Sequence, residues 1–348
     1  MMTVILSALF FLWMSDTVRA QVDVEGVLAK LNALPIGERN ELLLSSARKE
    51  GVVDWQSTLP VTEARELVVR FARKYPGIEL RHTRLSGTGV VNRFLTEYKA
   101  GVHRTDVIGG RGSLHPMLMK AGVVARNLAP FRREIREEFL DKEGYYAGNF
   151  TYGLVFGYNV KNVAANRVPA SYEDLLSPYW KGQMGLDRES YDWLGGVMDI
   201  MGDQKGLDYA RKLSEQNLKI IKGHTLLTQL VAAGEIRLLI DAYHHHIVSF
   251  KEKGAPLDLV IPDPLIVREP SGIWISKKAP HPYAAALLAD FLFSKEGQQL
   301  YLDGNRLVAR KDMAWNFGGK RPNRINVLSE KWAANYGELT RQFDQIFR

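Results

Sequence analysis

The sequence predicts an α/β protein of two lobes joined by two extended crossover segments. Strands alternate with helices of about 10 to 15 residues, the rhythm of α/β units with mostly parallel sheets. Two long extended stretches, 151–160 and 257–275, cross that alternation, and the rhythm restarts between them. One domain inserted into another satisfies all three observations. The expected division is 21–153 plus 266–348 for a discontinuous first lobe with an N-terminal helical extension, and 154–265 for the inserted lobe. A chain of 348 residues is long enough for two such cores.

Residues 1–20 read as a secretory signal. Val4 to Met14 is an apolar run, and Val18-Arg19-Ala20 offers a cleavage site, although Met1-Met2-Thr3 carries no basic residue. The run is shorter than the roughly 18–20 residues of a membrane span. The absence of cysteine excludes disulfides, zinc–thiolate sites and a lipidated cysteine. The expected location is therefore the periplasm, in solution. A net charge of +7 fits either solubility or an anionic ligand. No block of lysine and arginine of the nucleic-acid-binding kind is present, and a monomer is expected.

Residues 22–48 form a helical hairpin pattern broken at Pro35-Ile36-Gly37. Val52-Val53-Asp54-Trp55 is a strand that runs into Gln56-Ser57-Thr58 and a helix over 62–75, which Pro76-Gly77 stops. A second strand covers 78–82. Ser86-Gly87-Thr88-Gly89 leads into a helix over 90–100. A short buried strand over 105–108 precedes a glycine-rich loop, Gly109 to Ser113. In the inserted lobe Ser171-Tyr172-Glu173-Asp174 resembles a capping box. A strand over 182–186 ends at Asp187-Arg188, a helix over 225–233 is stopped by Gly234, and an apolar strand over 236–242 ends at Tyr243. Helices over 282–293, 295–302 and 329–347 complete the first lobe.

The chemistry-bearing candidates lie where strands end and helices begin. Helix N-termini carry unpaired N–H donors and partial positive charge, so such loops hold anions or polar groups. Thr58, Ser86, Gly87, Thr88 and His224 are the candidates of this kind, although serine and threonine at these places also serve as ordinary helix caps. Arg188 can pair with a carboxylate or phosphate, or with a neighbouring aspartate. Tyr243-His244-His245-His246 follows an apolar strand, where an α/β sheet places its ligand crevice. Tyr243 and His244 are the candidate metal ligands, and which histidine faces the cleft stays open. Asp106 and Arg111 flank the glycine-rich loop, with surface pairing the simpler role. There is no Gly-x-Ser-x-Gly elbow, Walker loop or His-Glu-x-x-His, so no enzyme and no resident cofactor is expected.

Several segments together resemble a type 2 periplasmic solute-binding protein of an ABC importer, in the extracellular solute-binding family 1, ferric-binding-protein-like branch. They are Ala47-Arg48-Lys49-Glu50-Gly51-Val52-Val53, Phe71-Ala72-Arg73-Lys74-Tyr75-Pro76-Gly77-Ile78, Tyr172-Glu173-Asp174-Leu175-Leu176 through Trp180-Lys181-Gly182, Gly223-His224-Thr225 through Gly234-Glu235, and Ser294-Lys295-Glu296-Gly297-Gln298. The resemblance implies capture of a small polar ligand, a metal ion or small anion, between two lobes, and delivery to a membrane permease. The ferric branch has two adjacent tyrosines where this chain reads Tyr243-His244. A hard ferric ion favours oxygen donors over imidazole, so a divalent metal, a phosphonate, thiamine or an organic acid are equal candidates. A metal-dependent hydrolase and a sensor's ligand receptor are the alternative readings.

Overall fold

The computed structural model describes residues 22–85 and 87–348. The expected signal segment and the candidate Ser86 lie outside the described residues. Two seven-stranded mixed sheets organise the chain. In the first, Val52–Ser57 pairs in parallel with Glu79–Arg84 on one side and Val107–Arg111 on the other. Ser271–Ser276 then runs antiparallel to Val107–Arg111 and carries Ala147–Thr151, with Leu307–Val308 at the edge. The second sheet repeats this plan. Met184–Asp187 pairs in parallel with Lys219–Ile221 and Leu238–Tyr243, and Gly153–Asn159 runs antiparallel to Leu238–Tyr243. In both sheets the strand earliest in sequence lies between the other two of its parallel trio. This order creates a switch point at the carboxyl ends of the strands, where α/β sheets hold ligands.

The Val107–Arg111 strand replaces the expected glycine-rich loop at Gly109 and Gly110. A Cβ on Gly109 would lie 2.8 Å from both Ser57 Cβ and Trp55 Nε1. The glycines therefore permit close packing within a strand rather than a turn. The consequence is functional, because Arg111 becomes a strand-end residue.

Three segments pass between the sheets. Tyr152 separates Ala147–Thr151 from Gly153–Asn159, and residues 268–270 separate Leu265–Val267 from Ser271–Ser276. These two crossings are pinned together: Arg268 N–H donates to Tyr152 O at 3.0 Å, and Thr151 Oγ1 donates to Arg268 O at 2.6 Å. The third passage, residues 309–324, was not expected. It carries the chain back to the second sheet, where Ile325–Val327 pairs in parallel with Leu265–Val267. The C-terminal residues assigned above to the first lobe thus pack on the second. The helix Tyr336–Phe347 buries Leu339, Phe343 and Phe347 in the same core as Trp193. Burying a large apolar side chain is worth about 1.5–3 kcal/mol, so three of them fix the tail in place. Gly195 makes room for it, since a Cβ there would lie 3.0–3.2 Å from Leu328, Trp332 and Leu339. The amphipathic period shows that this helix docks, and nothing in the period names the lobe.

At the other end, Val24–Asn32 and Ile36–Glu50 form the expected hairpin. Asp23 caps the first helix through Gly26 N–H at 3.0 Å. Arg39, 1% exposed, pairs with Asp290 at 2.6 Å and ties the second helix to Pro282–Phe293.

Candidate functional site

The carboxyl ends of the two parallel trios meet across a cleft. Thr58, Arg84 and Arg111 come from the first sheet. Asp187, Lys222, Gly223, His224 and Tyr243 come from the second. Two cavities of about 610 and 190 Å³ occupy this cleft and share Arg111, Tyr243 and Arg268.

An aromatic wall stands at the back. Tyr243 stacks on His224 with ring centres 3.9 Å apart and planes 9° from parallel, and Tyr152 stacks on Tyr243 at 5.3 Å. His245 lies 4.7 Å from the Tyr152 ring. Both phenols are engaged by arginines. Arg268 donates to Tyr243 Oη at 2.8 Å, and Arg306 donates to Tyr152 Oη. Arg268 is also paired with Asp192, and Arg306 with Glu63 at 2.5 Å. Burial pushes the Tyr243 phenol up to about 12, so it keeps its proton at neutral pH.

Asp187 and Asp241 build the floor beside His224. Asp187 accepts from Glu189 N–H at 2.8 Å and Gly223 N–H at 2.6 Å. Asp241 Oδ2 accepts from Asp187 N–H and contacts His224 Nε2, each at 3.1 Å. These bonds fix the two loops on which the cleft depends. Arg84 and Arg111 differ from the other two cleft arginines, Arg268 and Arg306: neither side chain makes a hydrogen bond or ion pair with any described residue, and both are exposed in the cleft.

The expected site residues divide as follows. Thr58 and Gly87 line the larger cavity, His224 the smaller, and Tyr243 both. Thr88 precedes the helix Gly89–Lys99 and lines neither cavity. Arg188 points to solvent, because Asp187 turns inward to hold Gly223 and the next side chain must face the opposite way. His244 is fully buried. Its Nδ1 accepts from Gly153 N–H at 3.1 Å, and its ring packs 4.8 Å from Phe317. Tyr243 and His244 are therefore divided between cleft and core, while His245 and His246 line the larger cavity. The cause is local: the helix His244–Glu252 starts at His244, and its first turn fans the three rings apart. Among the described residues the grouping of His, Asp and Glu close enough to share a metal ion is Asp54, Asp106 and His281, none of which lines the cleft.

Burial holds these histidines neutral, His244 down to about 3 and His246 down to about 4. Their folded pKa values lie below the ordinary 6.5, so the unfolded chain binds more protons once pH drops below that value. Stability is then lost as pH falls from about 6.5 towards 4. Glu269, raised to about 7 by burial and by Asp192, works in the opposite sense. The expected result is a lower melting temperature at pH 5 than at pH 7, with a shallower pH slope in His246→Gln. An unchanged slope in that variant would remove His246 from the account.

Residues 106–314 match the family model for bacterial extracellular solute-binding protein. The chain belongs to this family. Its members are binding proteins, and the two-lobed cleft suits that role. An uncharacterized protein of Haemophilus influenzae is 29% identical over 179 residues, 48% of this chain and 51% of its own length. The chain spans about half the length of the curated relatives it matches. Among solved structures, the Trichodesmium protein IdiA (FutA), in complex with iron and citrate ligands, superposes with a TM-score of 0.73 at 18% identity, covering 85% of this chain and 99% of that one. AfuA from Actinobacillus pleuropneumoniae, with exogenous fructose-6-phosphate bound, gives 0.68 at 21% identity over 86% and 99%. At these identities the likeness establishes the fold, a two-lobed solute-binding architecture. No helix among the described residues is long and apolar enough to cross a membrane.

Arg268, Arg306, Glu63, Tyr152 and Asp192 escape a reading of the carboxyl ends of strands, because they lie on crossings, on helices or, for Arg306, just before the strand Leu307–Val308. Tyr152 and Arg268 do fall within the two expected extended stretches, 151–160 and 257–275.

Proposed function

We propose that this protein is the periplasmic receptor of an ABC importer for a small organic anion, a phosphomonoester or carboxylate with a polar body. The observation that carries this reading is the pair of guanidiniums without a partner among the described residues, Arg84 and Arg111, which end the two strands flanking Val52–Ser57 and line the larger cavity. An arginine fork matches phosphate and carboxylate geometry. Cavities of about 610 and 190 Å³ exceed what a bare ion needs and suit a small organic molecule. Arg268 engages the Tyr243 phenol and the adjacent His244 is turned into the core, so this pair presents no two oxygen donors of the kind a hard ferric ion favours. The fructose-6-phosphate held by the AfuA neighbour supports the same ligand class.

Calorimetric titration with inorganic phosphate, fructose 6-phosphate, citrate, thiamine and ferric citrate tests the proposal, on protein stripped of copurified solute. Saturable one-to-one binding of a phosphomonoester or a carboxylate is the expected result, with no visible phenolate-to-iron absorption band on adding ferric citrate. Binding of iron alone, with that band, would replace this reading by the ferric one.

A further inference from the structure

The helix Tyr336–Phe347 carries one apolar stripe: Tyr336, Leu339, Phe343 and Phe347 recur at three- and four-residue spacing. Three members are buried, at 0%, 0% and 8% exposure, while Tyr336 is 38% exposed. The stripe therefore overruns its packing surface by one residue, and that residue lines the smaller cavity of the cleft beside Arg111. Its only ring contact among the described residues is with Tyr191, edge-on at 5.7 Å and 85°.

The rest of the tail holds this ring in place from both sides. Before it, Ser329 and Trp332 both donate to Asp199, and the short helix Glu330–Ala334 packs against Gly112–Leu114, directly after Arg111. After it, Arg348 donates to Tyr191 Oη at 3.1 Å and to Arg188 O at 3.0 Å, pinning a segment whose Glu189, Ser190 and Tyr191 line the same cavity. A large ring fixed at both flanks, yet left with open cavity over one side, is placed to pack on a guest.

From this geometry, and resting on the anion reading above, we infer that Tyr336 is a ligand-contacting residue that sets specificity: it covers the organic body of an anion whose charged head lies at Arg111. The tail that returns to the second lobe thereby supplies a wall of the binding site. Bare anions gain nothing from this ring, and esters with a ring or carbon-rich body do. Ser190 and Glu189, the latter already paired with Lys222 at 2.8 Å, line the same cavity and offer hydrogen-bonding oxygens to hydroxyls of such a body.

The test is differential. Full-length wild type, Tyr336→Ala and Tyr336→Phe are titrated with inorganic phosphate and with fructose 6-phosphate. Tyr336→Ala is expected to bind the sugar ester about tenfold more weakly, the scale of losing one aromatic anchor, while its affinity for inorganic phosphate stays within about twofold. Tyr336→Phe is expected to match wild type, since the ring rather than the hydroxyl carries the contact. Equal losses for both probes would mean that the variant merely loosens the cleft, and no loss for either would mean that the ring touches no guest; each result overturns the inference and leaves the anion reading standing. A wild type that binds neither probe, nor any other anion, overturns both.

Discussion

Replacing Arg268 with methionine is expected to lower the free energy of unfolding by about 3–5 kcal/mol, because it leaves the Asp192 carboxylate buried without its partner. The side chains of the pair are 10% and 14% exposed, so solvent replaces the lost guanidinium poorly. The same arginine donates to Tyr243, and its backbone joins the two crossings through Tyr152 and Thr151. One residue thus ties the second lobe's aromatic wall to the passage between lobes. Burial opposes the charge on Arg268, and Asp192 and Tyr243 more than offset that cost, leaving its pKa raised. Chemical denaturation measures the effect. Arg268→Met combined with Asp192→Leu should recover part of the loss, since an apolar pair leaves no orphaned charge. A single variant within 1 kcal/mol of wild type would show that the pair does not hold this region together. Lysine at 268 keeps the charge and loses the fork, so it separates charge from geometry.

The sheet positions of the cleft were legible because an α/β rhythm marks where each strand ends, and strand ends are where such sheets meet ligands. Thr58, Gly87, His224 and Tyr243 lie at those ends and line the cavities. What the rhythm does not encode is which way the first residue beyond a strand turns. Asp187 and Arg188 are adjacent, and the choice between them rests on Gly223 N–H, 36 residues later, which Asp187 accepts. The choice among three successive histidines likewise rests on where a helix begins. At Gly109 and Gly110 composition suggested a loop, whereas the decisive fact is the nearness of Trp55 and Ser57 from another strand. The destination of the tail was hidden for the same reason. Its stripe is plain in the residues, and its partner, the helix around Trp193, lies more than a hundred residues away.

Arg111 makes the opposite case to Arg268. Its guanidinium has no partner among the described residues, so Arg111→Ala breaks no contact within the fold and its melting temperature should stay close to that of wild type. Anion affinity, in contrast, should fall about 100-fold, the equivalent of roughly 2.7 kcal/mol, as expected when a forked charge-assisted bond to a phosphate is removed. Arg84→Ala should show the same pattern with a smaller loss, because Arg111 lines both cavities and Arg84 only the larger. Added salt should weaken binding in wild type and weaken it less in either variant, since these exposed charges are screened. The comparison of the three arginine variants separates two roles that sequence alone cannot distinguish. A buried, paired arginine governs whether the lobes hold their shape, and an unpaired one governs what they hold. If Arg111→Ala bound fructose 6-phosphate as tightly as wild type, the charged head of the ligand would not lie at the end of this strand, and the orientation argued for the guest would fail with it.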